Sequence, residues 1–201
     1  MELDLSQLEP RHAHDLLTGS MIPRPIAWVS SINPEGQVNL APFSFFTGVS
    51  YAPPVVAFSV MNRTDGTEKD TSINIRQVGE FVIHIVSVEM LHEMEATARP
   101  IPYGTDALAV CGVHLVPSKT VKPYRIQEAK IAFECTLEQI VCVGEGACAG
   151  NLILGRVRLA HFEDGLLIEG REVDYAKLDA LGRLSGKRYC TVRDVIESDT
   201  N

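Results

Sequence analysis

IAWVSSINPEGQVNLAPFSFF, residues 26–46, decides how the rest of the chain is read. Ile26 to Ile32 is rich in apolar, aromatic and β-branched residues and reads as a strand. Asn33 to Gln37 carries Pro34 and Gly36 and reads as a turn, and Val38 to Phe46 returns as a second strand. A connection this short makes the two strands antiparallel, so the stretch is a hairpin. Pro42 has no N–H to give to a ladder and marks an edge, a bulge or a break in the return strand. PPVVAFSVM, residues 53–61, follows as a third strand. It is apolar on both faces, which places it centrally.

Outward from there the periods alternate between strand and short helix. After the polar loop Val60 to Lys69, the residues Thr71, Ile75 and Val78 fall at helical spacing, and Gly79 ends the run. Glu80 to Val88 is another strand. Val88, Leu91, Met94 and Ala98 predict a second helix stopped by Arg99 and Pro100. Gly112 to Ser118 reads as a short strand. Ile131, Phe133, Cys135 and Leu137 alternate with Ala132, Glu134, Thr136 and Glu138, which predicts a half-buried strand, and the phase shifts near Gln139 and Ile140, as at a bulge. Asn151 to Phe162 is the last long strand, and Asp174 to Gly182 a short helix with Gly182 placed as its cap. No repeat, low-complexity run or linker divides the chain, so residues 1–201 are expected to form one domain. Six or more strands with about three short helices, antiparallel where connections are short, favour a mainly β barrel with helical excursions over a βαβ sheet.

The bulk composition narrows the function classes. The 201 residues are 45% hydrophobic and 22% charged, ordinary for a globular chain with a sizeable core. A net charge of −8 argues against non-specific binding to nucleic acid or to an anionic membrane. The start, MELDLSQLEP, is not a signal peptide, and no apolar stretch is long enough to span a bilayer. The five cysteines are odd in number and contain no C-x-x-C, which points to reduced thiols and a cytoplasmic location. No metal-ligand spacing is present. His92 to Glu95, HEME, lacks the second histidine of a metalloprotease helix, since Ala96 stands there.

The loop and helix start at Arg63 to Ser72 admit two readings. A helix N-terminus offers free N–H groups and a partial positive charge, which together suit a phosphate. Lys69 and Arg63 would add full charges, Arg63 with a bidentate fork, and the Thr71 and Ser72 hydroxyls further donors. Asp70 would repel a phosphate and is read as the helix N-cap. The other reading is a plain capped connection with solvated cations, which on residue types alone is the commoner arrangement. Gly144 to Gly150, GEGACAG, reads as a loop between strands rather than a dinucleotide fingerprint. His161 reads as a hydrogen-bonded, part-buried histidine, with contact to a bound ring as the alternative. Gly182 to Tyr189, GRLSGKRY, reads in isolation as a basic surface loop.

RPIAWVSSINPEGQVNLAPFSFF, PPVVAFSVMNR and KDTSINIRQVGEFVIHIV, in this order and at this spacing, resemble the flavin reductase-like family, the FMN-binding split-barrel proteins related to flavoredoxin. The resemblance runs from Pro23 to Val86 and extends more weakly through ILGRVRLAHF to LGRLSGKRY. It implies a Greek-key, antiparallel split barrel that dimerises with itself and holds one FMN per subunit near the interface. It implies that Trp28, Ser30 and Ser31 lie beside the flavin, and that Asn39, Ala41, Ser44, Phe45, Phe46 and Thr47 line its ring and ribityl chain. Arg63, Lys69, Asp70 and Thr71 would hold the phosphate. The implied activity is flavin reduction by NADH or NADPH, with His161 the one catalytic candidate. An FMN electron carrier docking on a redox protein partner, a non-catalytic flavin-binding module, and a barrel for another phosphorylated ligand are the alternatives.

Overall fold

The computed structural model describes residues 1–99 and 111–198. Helix α1 spans Pro10–Ser20, and four strands follow: β1 (Ala27–Ile32), β2 (Val38–Phe43), β3 (Phe46–Tyr51) and β4 (Pro54–Met61). Helix α2 (Asp70–Val78) leads into β5 (Glu80–Ile85), and α3 (Leu91–Thr97) follows. The short strands β6 (Leu115–Val116) and β7 (Arg125–Ile126) precede the long pair β8 (Ile131–Val143) and β9 (Gly150–Phe162). Two small hairpins complete the chain: β10 (Leu167–Ile168) with β11 (Glu172–Val173), and β12 (Leu181–Arg183) with β13 (Tyr189–Thr191).

Seven strands form one sheet in the order β2-β1-β5-β8-β9-β4-β3, every neighbouring pair antiparallel. The two edge strands, β2 and β3, are consecutive in the chain and joined only by Ser44 and Phe45. Two residues span too little distance to cross a flat seven-stranded sheet, so the sheet must curl until its edges approach. Ser59 N–H donates to the Phe45 carbonyl at 2.9 Å, one further step of the β3–β4 ladder in which Phe46 pairs with Phe58, while no ladder joins β2 to β3 among the described residues. The result is a barrel with a seam, as the mainly antiparallel β reading expects.

Strand alternation sorts the side chains onto two faces. Ala27, Val29, Phe43, Phe58, Phe81, Ile83 and Ile153 form the interior core, into which α2 drops Ile75. Phe43 and Phe58 come from the first and sixth strands of the sheet order, yet their rings lie 5.5 Å apart, which identifies this face as the concave one. The outer face carries Ile26, Trp28 and Leu40, covered by Met90, Met94, Ile126 and Leu181.

The hairpin Ile26 to Phe46 holds, with Ala27 paired to Phe43 and Ile32 to Val38. Its return strand is shorter than expected: the chain breaks at Ser44 and starts β3 at Phe46. Pro42 lies on an edge strand, and β4 is flanked on both sides. Helix α2 ends at Gly79, whose φ of 75° supplies the left-handed cap. The phase shift in β8 appears between Leu137 and Gln139, with a second between Glu134 and Cys135. Gly182 is not a helix cap. The single turn Tyr175–Leu178 ends at Asp179, at φ 45°, and Gly182 sits in β12 between Pro23 and Cys190, where a Cβ would come within 2.9 Å of Pro23 and 2.7 Å of the Cys190 sulfur. Glu134, expected on a wet face, is buried under the loop at Ser118 to Thr120.

Candidate functional site

The seam opens into a groove of about 250 Å³. Ser44 and Phe45 line it from the join, Phe43 from the end of β2, and Ser59 and Met61 from β4. Lys69 enters from the start of α2, and Arg24 and Arg183 from the strand ends. Helix α1 lays Arg11, His14, Asp15 and Thr18 along it. Four cations therefore face one carboxylate, Asp15, which is already held by Arg11 at 3.4 Å. An excess of positive charge in a groove with aromatic walls suits a planar ligand carrying an anion.

Lys69, rather than Asp70, is the N-cap of α2, with extended backbone and a carbonyl that accepts from the Ser72 and Ile73 amides at 2.9 and 3.2 Å. Its ammonium lies 5.9 Å from the Phe43 ring centroid and makes no ion pair among the described residues. Burial and the neighbouring Arg63 depress its pKa. Asp70, expected to cap the helix, instead occupies the first turn and binds Arg63. Arg63 also donates to the Glu68 carbonyl. Its fork is thereby committed to bracing the loop, against the expectation that it grips an anion. With the Ser72 and Ile73 amides taken by the Lys69 carbonyl, those of Asp70 and Thr71 are left without a backbone acceptor at the start of the helix.

Beside this helix start lies a polar cluster. Asn39 donates to the Thr71 hydroxyl at 2.8 Å and to Ser31 at 3.4 Å, and Asn74 donates to Ser31 at 3.3 Å. Ser72 Oγ and Asn74 Oδ1 are buried there without partners. An orphaned buried hydroxyl costs roughly 1–3 kcal/mol, which a ligand would recover. Ala41 shares the Asn39 face, and with Phe46 packs on the interior core, while Thr47 is exposed on β3.

The expected site residues thus divide. Ser44, Phe45 and Lys69 line the groove; Ser31, Asn39, Ala41 and Thr71 share the face that runs from it to α2. Trp28 and Ser30 point the other way, because alternate residues of β1 face opposite sides. Trp28 is 0% exposed in the outer core, its indole N–H donating to Thr97 at 2.9 Å, so its ring faces no groove. His161 has the hydrogen-bonded reading: its Nε2 meets Glu134 Oε1 at 2.6 Å. It stands in register with Ala132, His84 and Trp28, on the outer face and away from the groove. Burial pushes the Glu134 carboxyl up, but hydrogen bonds from Thr120, Lys119 and His161 outweigh it and bring the pKa down to about 2. The GRLSGKRY segment supplies Arg183, Leu184 and Gly186 to the groove wall.

Sequence reading missed α1 and Arg24. Helix α1 buries only Thr18; its signals were Pro10 at the first turn and the short apolar step of Ala13 and Leu16. Arg24 is 7% exposed and donates to the carbonyls of Met21 and Leu184, both at 3.0 Å, to that of Thr18, and to Ser44 Oγ at 3.4 Å. It ties α1, the seam and the terminal segment around one cation.

The flavin reductase like domain model matches residues 18–176. An uncharacterised protein of Aquifex aeolicus is 40% identical over 189 residues, covering 94% of each chain. Among solved structures, component B of nitrilotriacetate monooxygenase from Bacillus cereus superposes with a TM-score of 0.93 at 32% identity, over 98% of each chain. The 2-nitrobenzoate 2-nitroreductase of Pseudomonas fluorescens superposes with a TM-score of 0.89 at 29% identity, over 100% of this chain and 96% of its own.

Proposed function

The chain belongs to the flavin reductase-like family, and from that premise we propose that it is an FMN-dependent oxidoreductase reduced by NADH or NADPH. The observation that carries the reading is Lys69, an ammonium with no carboxylate partner among the described residues, set at the start of α2 in the same groove as Ser44 and Phe45. FMN, when bound, supplies a ring that takes up hydride and passes electrons onward. The protein's part is to bind and to shield. Lys69 and the first N–H groups of α2 would hold the phosphate. Phe43 and Phe45 give apolar surface, and Asn39, Thr71 and Ser72 give hydrogen bonds to the polyol or phosphate. Neither Trp28, Ser30 nor His161 has a part in this proposal.

The proposed assembly is a homodimer. Strand β3 is an edge, with Val49 55% and Tyr51 100% exposed on it, an apolar margin that a second copy would cover. A cytoplasmic location is also proposed; among the described residues no helix is long and apolar enough to cross a membrane.

The test is the visible spectrum of the purified protein with and without added FMN, then anaerobic mixing with each nicotinamide. Bleaching of the flavin band by NADH or NADPH is the expected result. Bound FMN that neither nicotinamide reduces would make the protein an electron carrier that docks on a redox partner. Failure to bind FMN at all would end the flavin reading. Sedimentation at micromolar protein tests the dimer.

A further inference from the structure

Arg24 and Arg183 stand directly opposite one another in an antiparallel bridge, each amide donating to the other's carbonyl at 3.0 and 2.8 Å. Like charges set opposite each other in this way repel. Burial and then the Arg183 charge depress the Arg24 pKa. Neither guanidinium has a carboxylate partner among the described residues. Both line the groove at the seam. Two unneutralised cations held side by side against open space are a binding site for something negative.

The two play different parts. Arg24 is fixed, with most of its five N–H groups given to the Thr18, Met21 and Leu184 carbonyls, so it contributes charge. Arg183 is half-buried, stacks on Tyr189 at 4.5 Å and gives one N–H to the Gly186 carbonyl at 2.6 Å. It also hydrogen-bonds the Tyr189 phenol, and the N–H groups that remain are available to an oxyanion. The groove, at about 250 Å³, is below the roughly 300–1,000 Å³ typical of pockets that enclose a whole drug-sized ligand. It suits a charged head group better than an entire second molecule.

We propose that Arg24 and Arg183 form a second oxyanion subsite, separate from the Lys69 end, which captures the charged group of the molecule that meets the flavin. The shared chemistry is a phosphate or carboxylate oxygen pair. Its source is either the diphosphate of the nicotinamide donor or the carboxylate of an organic acid acceptor. The inference rests on the flavin reading for what occupies the Lys69 end and for the role of the molecule captured, but not for the oxyanion subsite itself.

The experiment is calorimetric titration of pyrophosphate and of benzoate into FMN-saturated protein and into the flavin-free form, for the parent, Arg183→Ala and Arg183→Lys. At least one probe should bind the FMN-saturated parent, and Arg183→Ala should weaken it about tenfold or more, as expected for loss of a charge-assisted hydrogen bond. Arg183→Lys, which keeps the charge and loses the fork, should fall between, and it carries the test if the alanine variant does not fold. FMN affinity should stay within about twofold in both variants. Preference for pyrophosphate would assign the donor, and for benzoate the acid. The proposal is overturned if neither probe binds the FMN-saturated parent, or if the Arg183 variants leave the affinity unchanged. It is also overturned, with the flavin reading intact, if FMN displaces both probes, since they would then report the Lys69 end. A protein that binds no FMN would sink the flavin reading alone, because the flavin-free titration still reports on the arginine pair.

Discussion

Lys69→Ala separates a phosphate contact from a structural one. The side chain lies on the groove side of α2, and its one described side-chain partner is the Phe43 ring at 5.9 Å. The capping role belongs to the backbone: extended dihedrals and a carbonyl accepting from Ser72 and Ile73, which alanine retains. The cost to the flavin-free fold is therefore limited to a cation–π contact of about 0.5–1 kcal/mol. It is offset in part by relief of the repulsion from Arg63 that lowers the lysine's pKa. The cost to FMN should be larger. A charge-assisted hydrogen bond contributes roughly 1.5–3 kcal/mol, or about ten- to a hundredfold in affinity. Riboflavin has no phosphate and should bind the variant about as well as the parent. Because phosphate favours the charged amine, FMN affinity should also fall as pH rises through the depressed lysine pKa, and Lys69→Ala should abolish that limb. Fluorescence titration of both flavins against both proteins reads all of this. Equal weakening of FMN and riboflavin would refute the argument, since Lys69 would then act through the ring or the fold.

Three further outcomes follow from the same structure. Arg63→Ala should lower the melting temperature, because Arg63 braces Asp70 and the Glu68 carbonyl, yet leave the ratio of FMN to riboflavin affinity near the parent value; a ratio that collapses as in Lys69→Ala would return Arg63 to the phosphate. Acid should destabilise the protein in two steps. Burial holds His84 neutral with its pKa lowered to about 4, so its contribution is lost as pH falls from about 6.5 to 4. Glu134, down at about 2, adds a loss between about 4.5 and 2. Each is worth roughly 3 kcal/mol at most. Denaturant midpoints that stay flat from pH 7 to 3 would contradict both assignments. Gly155→Ala should drive a methyl into the buried Phe81 ring and cost about 1–3 kcal/mol, several degrees in a melting scan; an unchanged scan would mean that the ring moves aside freely.

Much of the barrel was legible because its signals are local. The Ile26 to Phe46 hairpin, the helix ending at Gly79 and the phase slip near Gln139 each come from residues adjacent in sequence. What failed was long-range. Which residues of β1 face α2 depends on the partner layer, so motif order grouped Trp28, Ser30 and Ser31 although the pleat separates them. Glu134 looked solvated until a loop fifteen residues earlier folded over it. Asp70 had the right residue type for a cap, but Arg63 competed for its carboxylate. Arg24 lies beside Arg183 only because the terminal hairpin returns to the start of the sheet, a pairing no spacing reveals.

A cylinder left open along one seam behaves unlike one zipped along its length. Strands β2 and β3 each have a neighbour on one side only, and no ladder crosses the gap between them; the chain itself joins them through Ser44 and Phe45. The gap can widen and narrow while every ladder stays intact, at far less cost than unfolding. Amides of β2 and β3 should therefore exchange with solvent ahead of those in β5 and β8. A molecule seated at Ser44 and Phe45 would leave on the clock of that breathing, so its residence time would be set by the open seam as much as by its own contacts.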